Sequence, residues 1–309
     1  MLGAKDHRPR LDHTGQMFQK PSFTALTEQA QTAARIASES ADVRVRDEGS
    51  LAGFLEIETL FNTIWLLPPG ESAISSELLR SISHAGCNVT AARDRAGRLV
   101  GAAAAIVTPR SPARQAPSMY SLIAGVLPGI SDRGVGFALK QHQRAWGLAR
   151  DLTEMTWTFD PLVSRNARFN LTKLGAYTSE YAVDFYGPMQ GGMNANDESD
   201  RLVAVWPLTS DESAACSEDR PLAARRPDFG ANDVLRLGPD GDPVLIAVGG
   251  ARWCRVPTDI VALRAKNPQL AAEWRRSIRS ILTDVFASGH IARGVSRDGW
   301  YRLEPGGTA

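Results

Sequence analysis

The chain has 309 residues, 43% hydrophobic and 22% charged, the balance of a globular protein of one elaborated domain or two. Its formal net charge of +1 gives no field for nucleic acid or an anionic membrane, so neither is expected as a partner. Cys87, Cys216 and Cys254 are scattered and share no metal-ligand spacing with the histidines, and no apolar run could span a bilayer; free thiols, no metal and a cytoplasmic location are expected.

Residues 1–42 are polar and rich in Ala, Gln and Ser, which predicts a mobile tail with at most one weak helix. Asp42 to Arg46 alternates as a strand. Ser50 then caps a helix carrying Leu51, Phe54, Leu55 and Phe61, which ends at Pro68-Pro69-Gly70. A short helix opens at Ser75-Ser76 and stops at Gly86. A hairpin joins Asn88–Ala92 to Leu99–Val107. A strand-like run, Leu122 to Leu127, ends at Pro128, and a helix starts near Gly134 with Val135, Ala138, Leu139, His142 and Trp146 on one face. Met155 to Asp160 alternates, residues 163–174 read as a helix stopped by Gly175, and Tyr177–Tyr186 and Leu202–Trp206 read as strands. Asp211–Arg226 has the composition of a linker. Val244–Val248, a helix over Pro268–Ser288 and a hairpin of Ile291–Val295 with Trp300–Leu303 close a mixed α/β pattern.

The strand, glycine loop and helix start of Val126–Lys140 form a pyrophosphate cradle, because free N–H groups and the helix dipole converge there. A P-loop is excluded: Gly136 is followed by Phe137 and Ala138 where that loop needs Lys and Ser or Thr. A dinucleotide fold needs a third small residue where Leu139 stands, although Asp160 imitates its ribose-binding acid, and that alternative stays open.

Val126-Leu127-Pro128 followed by Gly134-Val135-Gly136 and Ala138-Leu139 resembles the V-x-P-x-x-R/Q-x-x-G-x-G-x-x-L signature of the GNAT N-acetyltransferases. Asn166 to Ala176, NARFNLTKLGA, is similar to the later Asn-rich helix of that superfamily. LKQHQRAWGLARDL, TWTFDPLVSRNARFNLTKLGA, DFYG, DRLVAVW and IVALRAKNPQLAAEWRRSIR look like a group of predicted GNAT proteins, so the resemblance spans about residues 43–303. It implies a mixed α/β GNAT fold in which 43–210 is the transferase unit and 211–309 a linker and C-terminal helix and hairpin packed on it. It implies acyl transfer from acetyl-CoA to the amine of a small molecule, with succinyl-CoA or another donor, or a CoA binder without turnover, as alternatives. A homodimer is left open.

In such folds the strand before the loop splays from its neighbour, and backbone groups at Val126 and Leu127 would polarise the thioester. The N–H groups of Ser131, Asp132, Arg133, Gly134, Val135, Gly136 and Phe137 would hold the pyrophosphate, and Asn166 would touch the cofactor. Two positions depart from the pattern. Ser131 replaces the loop Arg or Gln, with Arg133 as substitute charge, and Leu171 replaces the tyrosine that protonates the leaving thiolate. Tyr177, Tyr181 or water is the substitute acid. Asp160 is the candidate base, or a turn former before Pro161. Asn170 shares a helix face with Asn166 and can serve the cofactor or the backbone. Trp157, Phe159 and His142 read as core, Lys173 and Arg275, Arg276 and Arg279 as solvated surface, and Asp200-Arg201 as an ion pair. Phe54–Trp65, the 109–117 loop and the C-terminal segment are the expected walls of the acceptor pocket.

Overall fold

The polar N-terminal stretch is where structure and expectation first part. In a computed structural model, which describes residues 22–109, 117–187 and 198–307, helix α1 (Phe23–Ser40) replaces the tail expected there. Ser22 caps it, accepting from the Ala25 N–H at 3.2 Å. Its buried face is Ala30, Ala33, Ala34 and Ala37, a stripe too small to register as amphipathic yet able to lie close on another helix. Residues 1–21 of the expected tail fall outside the described residues.

Strand β1 (Arg44–Asp47) is followed by α2 (Leu51–Trp65) and α3 (Ser76–His84), capped by Ser50 and Ser75. β2 (Asn88–Arg93) and β3 (Leu99–Thr108) form the expected hairpin. β4 (Ser118–Val126) leads through a 3₁₀ turn (Ser131–Arg133) into α4 (Val135–Leu148), and β5 (Glu154–Phe159) follows. α5 (Ser164–Arg168) continues into one π turn (Phe169–Lys173). The strand expected over Tyr177–Tyr186 shrinks to β6 (Tyr181–Ala182) plus single bridges from Tyr177 to Val205 and from Thr178 to Ala292. With β7 (Arg201–Pro207) these strands make a seven-stranded sheet in the order β1-β2-β3-β4-β5-β7-β6.

The expected linker contains α6 (Asp211–Ser217), capped by Ser210. Beyond it are β8 (Val234–Leu237), β9 (Pro243–Val248), β10 (Ala251–Arg255), α7 (Ile260–Lys266), α8 (Pro268–Ala287), β11 (His290–Val295) and β12 (Trp300–Pro305). The C-terminal elaboration is therefore a second, five-stranded antiparallel sheet, ordered β11-β12-β10-β9-β8, covered by α8. α8 buries Trp274, Ile278, Ile281, Leu282 and Val285, each worth about 1.5–3 kcal/mol relative to exposure. One hydrophobic core runs through both sheets, from Met119, Trp157, Leu171 and Trp206 to Trp274, Ile278 and Leu303.

Candidate active site

Two neighbouring strands of the large sheet separate. β4 and β5 form the one parallel pair among the described strands, and their register covers only Ser118–Tyr120 against Glu154–Thr156. Beyond Tyr120 and Thr156 they diverge into a cleft of about 550 Å³. β4 carries a bulge at the same point: Ala104 faces Ile123 and Ala105 faces Ser121, so Leu122 is extra to the ladder with β3. Leu127 donates its N–H to Val100 O at 2.9 Å, and strand alternation then turns the N–H groups of Val126 and Ala124 toward the cleft. The Val126 N–H is therefore free to face the cleft, whereas the Leu127 N–H is already used by β3.

The glycine loop stands at the mouth of this fork. Gly134, at φ +86°, turns the chain from the 3₁₀ turn into α4, a conformation that L side chains rarely adopt. The first N–H groups of α4, on Val135, Gly136 and Phe137, have no intrahelical partner and carry the positive end of its dipole. A Cβ on Gly136 would stand 3.7 Å from Val126 Cγ2, on the cleft side. The Arg133 N–H is bound inside the turn to Ile130 O at 3.0 Å, so the row of free donors is shorter than expected. Val135 is buried against Gly101 and offers only its backbone. Asp132 is held outward by Arg165 at 2.7 Å, an exposed pair of little energetic weight. Arg133, Gly134, Phe137 and Lys173 line a second hollow of about 650 Å³, floored by α1 and α6.

Asn166 and Asn170 both line the fork, so Asn170 faces the cleft as well. Leu171 is fully buried in the core, and the place expected for a proton donor is apolar. Trp157 and Phe159 are buried as expected but also wall the cleft. On the other side of Thr158 lies a polar group: Thr158 Oγ1 and Tyr186 OH are 3.0 Å apart, and the Arg201 guanidinium lies 5.1 Å from the Tyr186 ring centre.

The structure removes both proposed catalytic side chains from the cleft. Asp160 binds Arg264 at 2.7 Å and Arg275 at 3.1 Å and accepts from the Leu162 N–H at 2.9 Å. Burial pushes its carboxyl up, but the Arg275 and Arg264 charges outweigh that and hold it below the ordinary carboxylate range. A carboxylate so stabilised is a poor base, and the turn-forming role is the one observed. Tyr177 bridges Val205 on the far edge of β7, so a whole strand lies between it and β5. Burial first, and then Glu154, push its hydroxyl pKa up, opposite to what an acid needs. Tyr181 is likewise engaged, donating to Asp200.

Other expectations change with this geometry. Arg275 is buried on Asp160, and Arg279 binds Asp200 at 2.8 Å and Glu198 at 2.6 Å, so the arginines of α8 join the two sheets. Arg201 donates to the Asp200 backbone carbonyl rather than to its carboxylate. His142 Nε2 meets Asp47 at 2.8 Å instead of simply packing. Most of the 109–117 loop lies outside the described residues. Sequence reasoning missed Lys140: its Nζ is buried within the fork, donating to Ser121 Oγ at 2.9 Å. The signal was its place four residues after Gly136, on the same helix face.

Among the described residues no helix is long and apolar enough to cross a membrane, and no cluster of His, Cys, Asp or Glu is set to hold a metal ion. No family model matches the chain, and no curated protein matches it in sequence. Solved structures do. The β4–β5 fork with the glycine loop at its mouth is the arrangement that the sequence resemblance implied.

The fold is a mixed α/β fold whose large sheet forks between β4 and β5.

An N-acetyltransferase from Staphylococcus aureus is 11% identical with a TM-score of 0.43, covering 54% of this chain and 98% of its own. A GNAT superfamily phosphinothricin acetyltransferase from Sinorhizobium meliloti, solved with acetyl-CoA, is 16% identical with a TM-score of 0.44, covering 54% of this chain and 88% of its own. The ribosomal-protein-S18-alanine N-acetyltransferase of Escherichia coli is 13% identical with a TM-score of 0.41, covering 54% and 95%.

Proposed function

We propose that this protein is an acyl-CoA-dependent N-acyltransferase, transferring an acetyl group to the amine of a small molecule in the cytoplasm. The observation that carries the reading is the fork: one edge of β4 is left unpaired from Ser121 onward, with the N-terminus of α4 and Gly136, which has no side chain to block the cleft, at the mouth. A pantetheine arm is amide-bearing and extended, so it fits an unpaired strand edge, and a pyrophosphate fits the free N–H groups of a helix start. The residues present suit coenzyme A without a metal. Val126 and Ala124 offer N–H groups to the pantetheine and the acyl carbonyl, Gly136 and Phe137 to the pyrophosphate, and Asn166 and Asn170 flank the arm. Arg133 and Lys173 supply positive charge beside the same helix start.

The bound thioester supplies an activated acyl carbon. The chain orients it and offers N–H donors to the oxyanion that develops when the amine attacks. The acceptor enters beside Thr158, Tyr186 and Arg201. Residues 43–210 with α1 form the transferase unit, and 211–309 brace its acceptor side through Arg264, Arg275 and Arg279.

Calorimetric titration with CoA, acetyl-CoA, succinyl-CoA and NAD tests the cofactor. Free-thiol release across a panel of small amines and peptide N-termini tests the reaction. Tight CoA binding with no thiol release on any acceptor would favour a CoA-binding protein without turnover, a reading that the apolar site at Leu171 keeps in play. A melting temperature raised by NAD but not by CoA would revive the dinucleotide reading.

A further inference from the structure

Lys140 is an expensive residue to place where it stands. Its side chain is 5% exposed, and among the described residues no carboxylate lies against it. Nζ donates to Ser121 Oγ at 2.9 Å and to Gln143 Oε1 at 3.1 Å, and sits 4.4 Å from the centre of the Trp157 ring. A lysine serving packing alone reaches solvent or pairs with an acid. A methionine would fill the same space without a desolvation cost.

The place itself is informative. Ser121 and Trp157 are the first residues of β4 and β5 beyond their last paired positions, so Nζ lies in the crotch of the fork. The bulge at Leu122 is at the same depth. An arm entering from the start of α4 and following β4 inward meets Val126 first and Ser121 last. Its reactive end therefore comes to rest beside Nζ. Asn170 also lines the cleft, but its amide N–H groups can donate a hydrogen bond and are far too weakly acidic to protonate a thiolate.

We propose that Lys140 is the general acid of acyl transfer, its ammonium giving a proton to the CoA sulfur as the thioester breaks. The proposal rests on reading the fork as the CoA site. The acceptor nitrogen forms a bond to the acyl carbon, and the C–S bond breaks with its electron pair passing to sulfur. Sulfur takes a proton from Lys140 Nζ and leaves as the thiol. The amide nitrogen sheds its own proton to water, and the Lys140 amine recovers one from water, so the ledger of protons and charge closes without a further reactant.

Burial pushes the Lys140 ammonium down to about 7, which makes it a stronger acid than an ordinary lysine and still substantially charged near neutrality. Few other groups face it. On β4, Tyr120 precedes Ser121, its hydroxyl pKa raised by burial. On α4, His142 is turned to Asp47 and Arg144 donates to Leu208 O. On α5, Arg165 lines the cleft and holds Asp132.

The test reads the sulfur directly, without needing an acceptor. The thiolate absorbance of CoA bound to the wild-type protein is followed against pH, with desulfo-CoA as the blank. An ammonium at the sulfur predicts at least about tenfold more thiolate near pH 7 than in free CoA. Lys140→Met should abolish that excess while leaving CoA affinity within severalfold, and should lower kcat on a responsive acceptor by about 100-fold or more with KM for acyl-CoA little changed. Bound CoA that titrates like free CoA, or a Lys140→Met protein that retains kcat, overturns the assignment. Failure of the wild-type protein to bind CoA at all overturns the reading of the fork instead.

Discussion

The two sides of the fork are built by different means. The cofactor side, from Val126 to Leu139, is local: a strand, a turn and a helix start within about fourteen consecutive residues, held by backbone hydrogen bonds and two left-handed glycines, Gly129 and Gly134. The acceptor side is assembled from afar. Asp160 reaches Arg264 and Arg275, Asp200 reaches Arg279, and Tyr301 OH donates to Pro161 O at 2.7 Å. Backbone chemistry makes the first side tolerant of side-chain change except where space is needed. Buried ion pairs make the second intolerant of losing either partner.

Breaking that contrast at its strongest point means removing Asp160. Asp160→Ala leaves Arg275 buried without its carboxylate and should cost about 3–5 kcal/mol of stability, read by chemical denaturation, while CoA affinity of the folded fraction holds. If CoA binding fell and stability did not, the two sides would not be separable. Gly136→Leu is the converse experiment. The side chain would enter the cleft beside Val126, and calorimetry should show CoA affinity lowered about 100-fold, about 2.7 kcal/mol, with an unchanged melting temperature.

Lys140→Met sharpens the comparison further, because it should weaken catalysis yet strengthen the fold. The Lys140 pKa falls on folding from 10.5 to about 7, so the unfolded chain holds the extra proton between those values and wild-type stability rises with pH across that window. Below about pH 7 the variant should be the more stable by up to roughly 5 kcal/mol, an upper bound, and the advantage should vanish by about pH 10. A Lys140→Met protein no more stable than wild type at pH 6 would show that the ammonium is better solvated than its burial indicates. Acid acts in the opposite direction. Asp160 and Asp200 have carboxyl pKa values held low in the fold despite burial, by Arg275 with Arg264 and by Arg279 with Tyr181 respectively. Their contribution is present above the ordinary carboxylate pKa of about 4 and is lost as pH falls through the lower folded values. The smallest effect belongs to Asp132→Ala, whose exposed pair with Arg165 should leave the melting temperature unchanged.

What was legible in the chain follows the same division. Pro128, Gly134, Gly136 and Leu139 announced the loop because each has a backbone or packing reason at a fixed short spacing. α1 showed only as one weak helix, since its buried stripe is alanine, and β6 was expected far too long, because its partner on β7 lies about twenty residues on and nothing local sets its ends. Arg275 and Arg279 looked like surface because they sit in a basic cluster with Arg276, and the acids they bind precede them by 115 and 79 residues. Asp160 looked catalytic for the mirror-image reason, a strand end beside the cleft with distant partners unseen, and Tyr177 because it is a tyrosine close in sequence to Leu171. Lys140 was overlooked because nothing in the local sequence shows that its flank of α4 borders a cleft.

The central claim is that the opening between β4 and β5 receives coenzyme A. Titration calorimetry of the wild-type protein and Gly136→Leu with CoA, NAD serving as the comparison ligand, tests it most directly. One CoA per chain should bind the wild-type protein, with affinity collapsing in the variant and no binding of NAD. CoA that fails to bind, or binds both proteins equally, would contradict it.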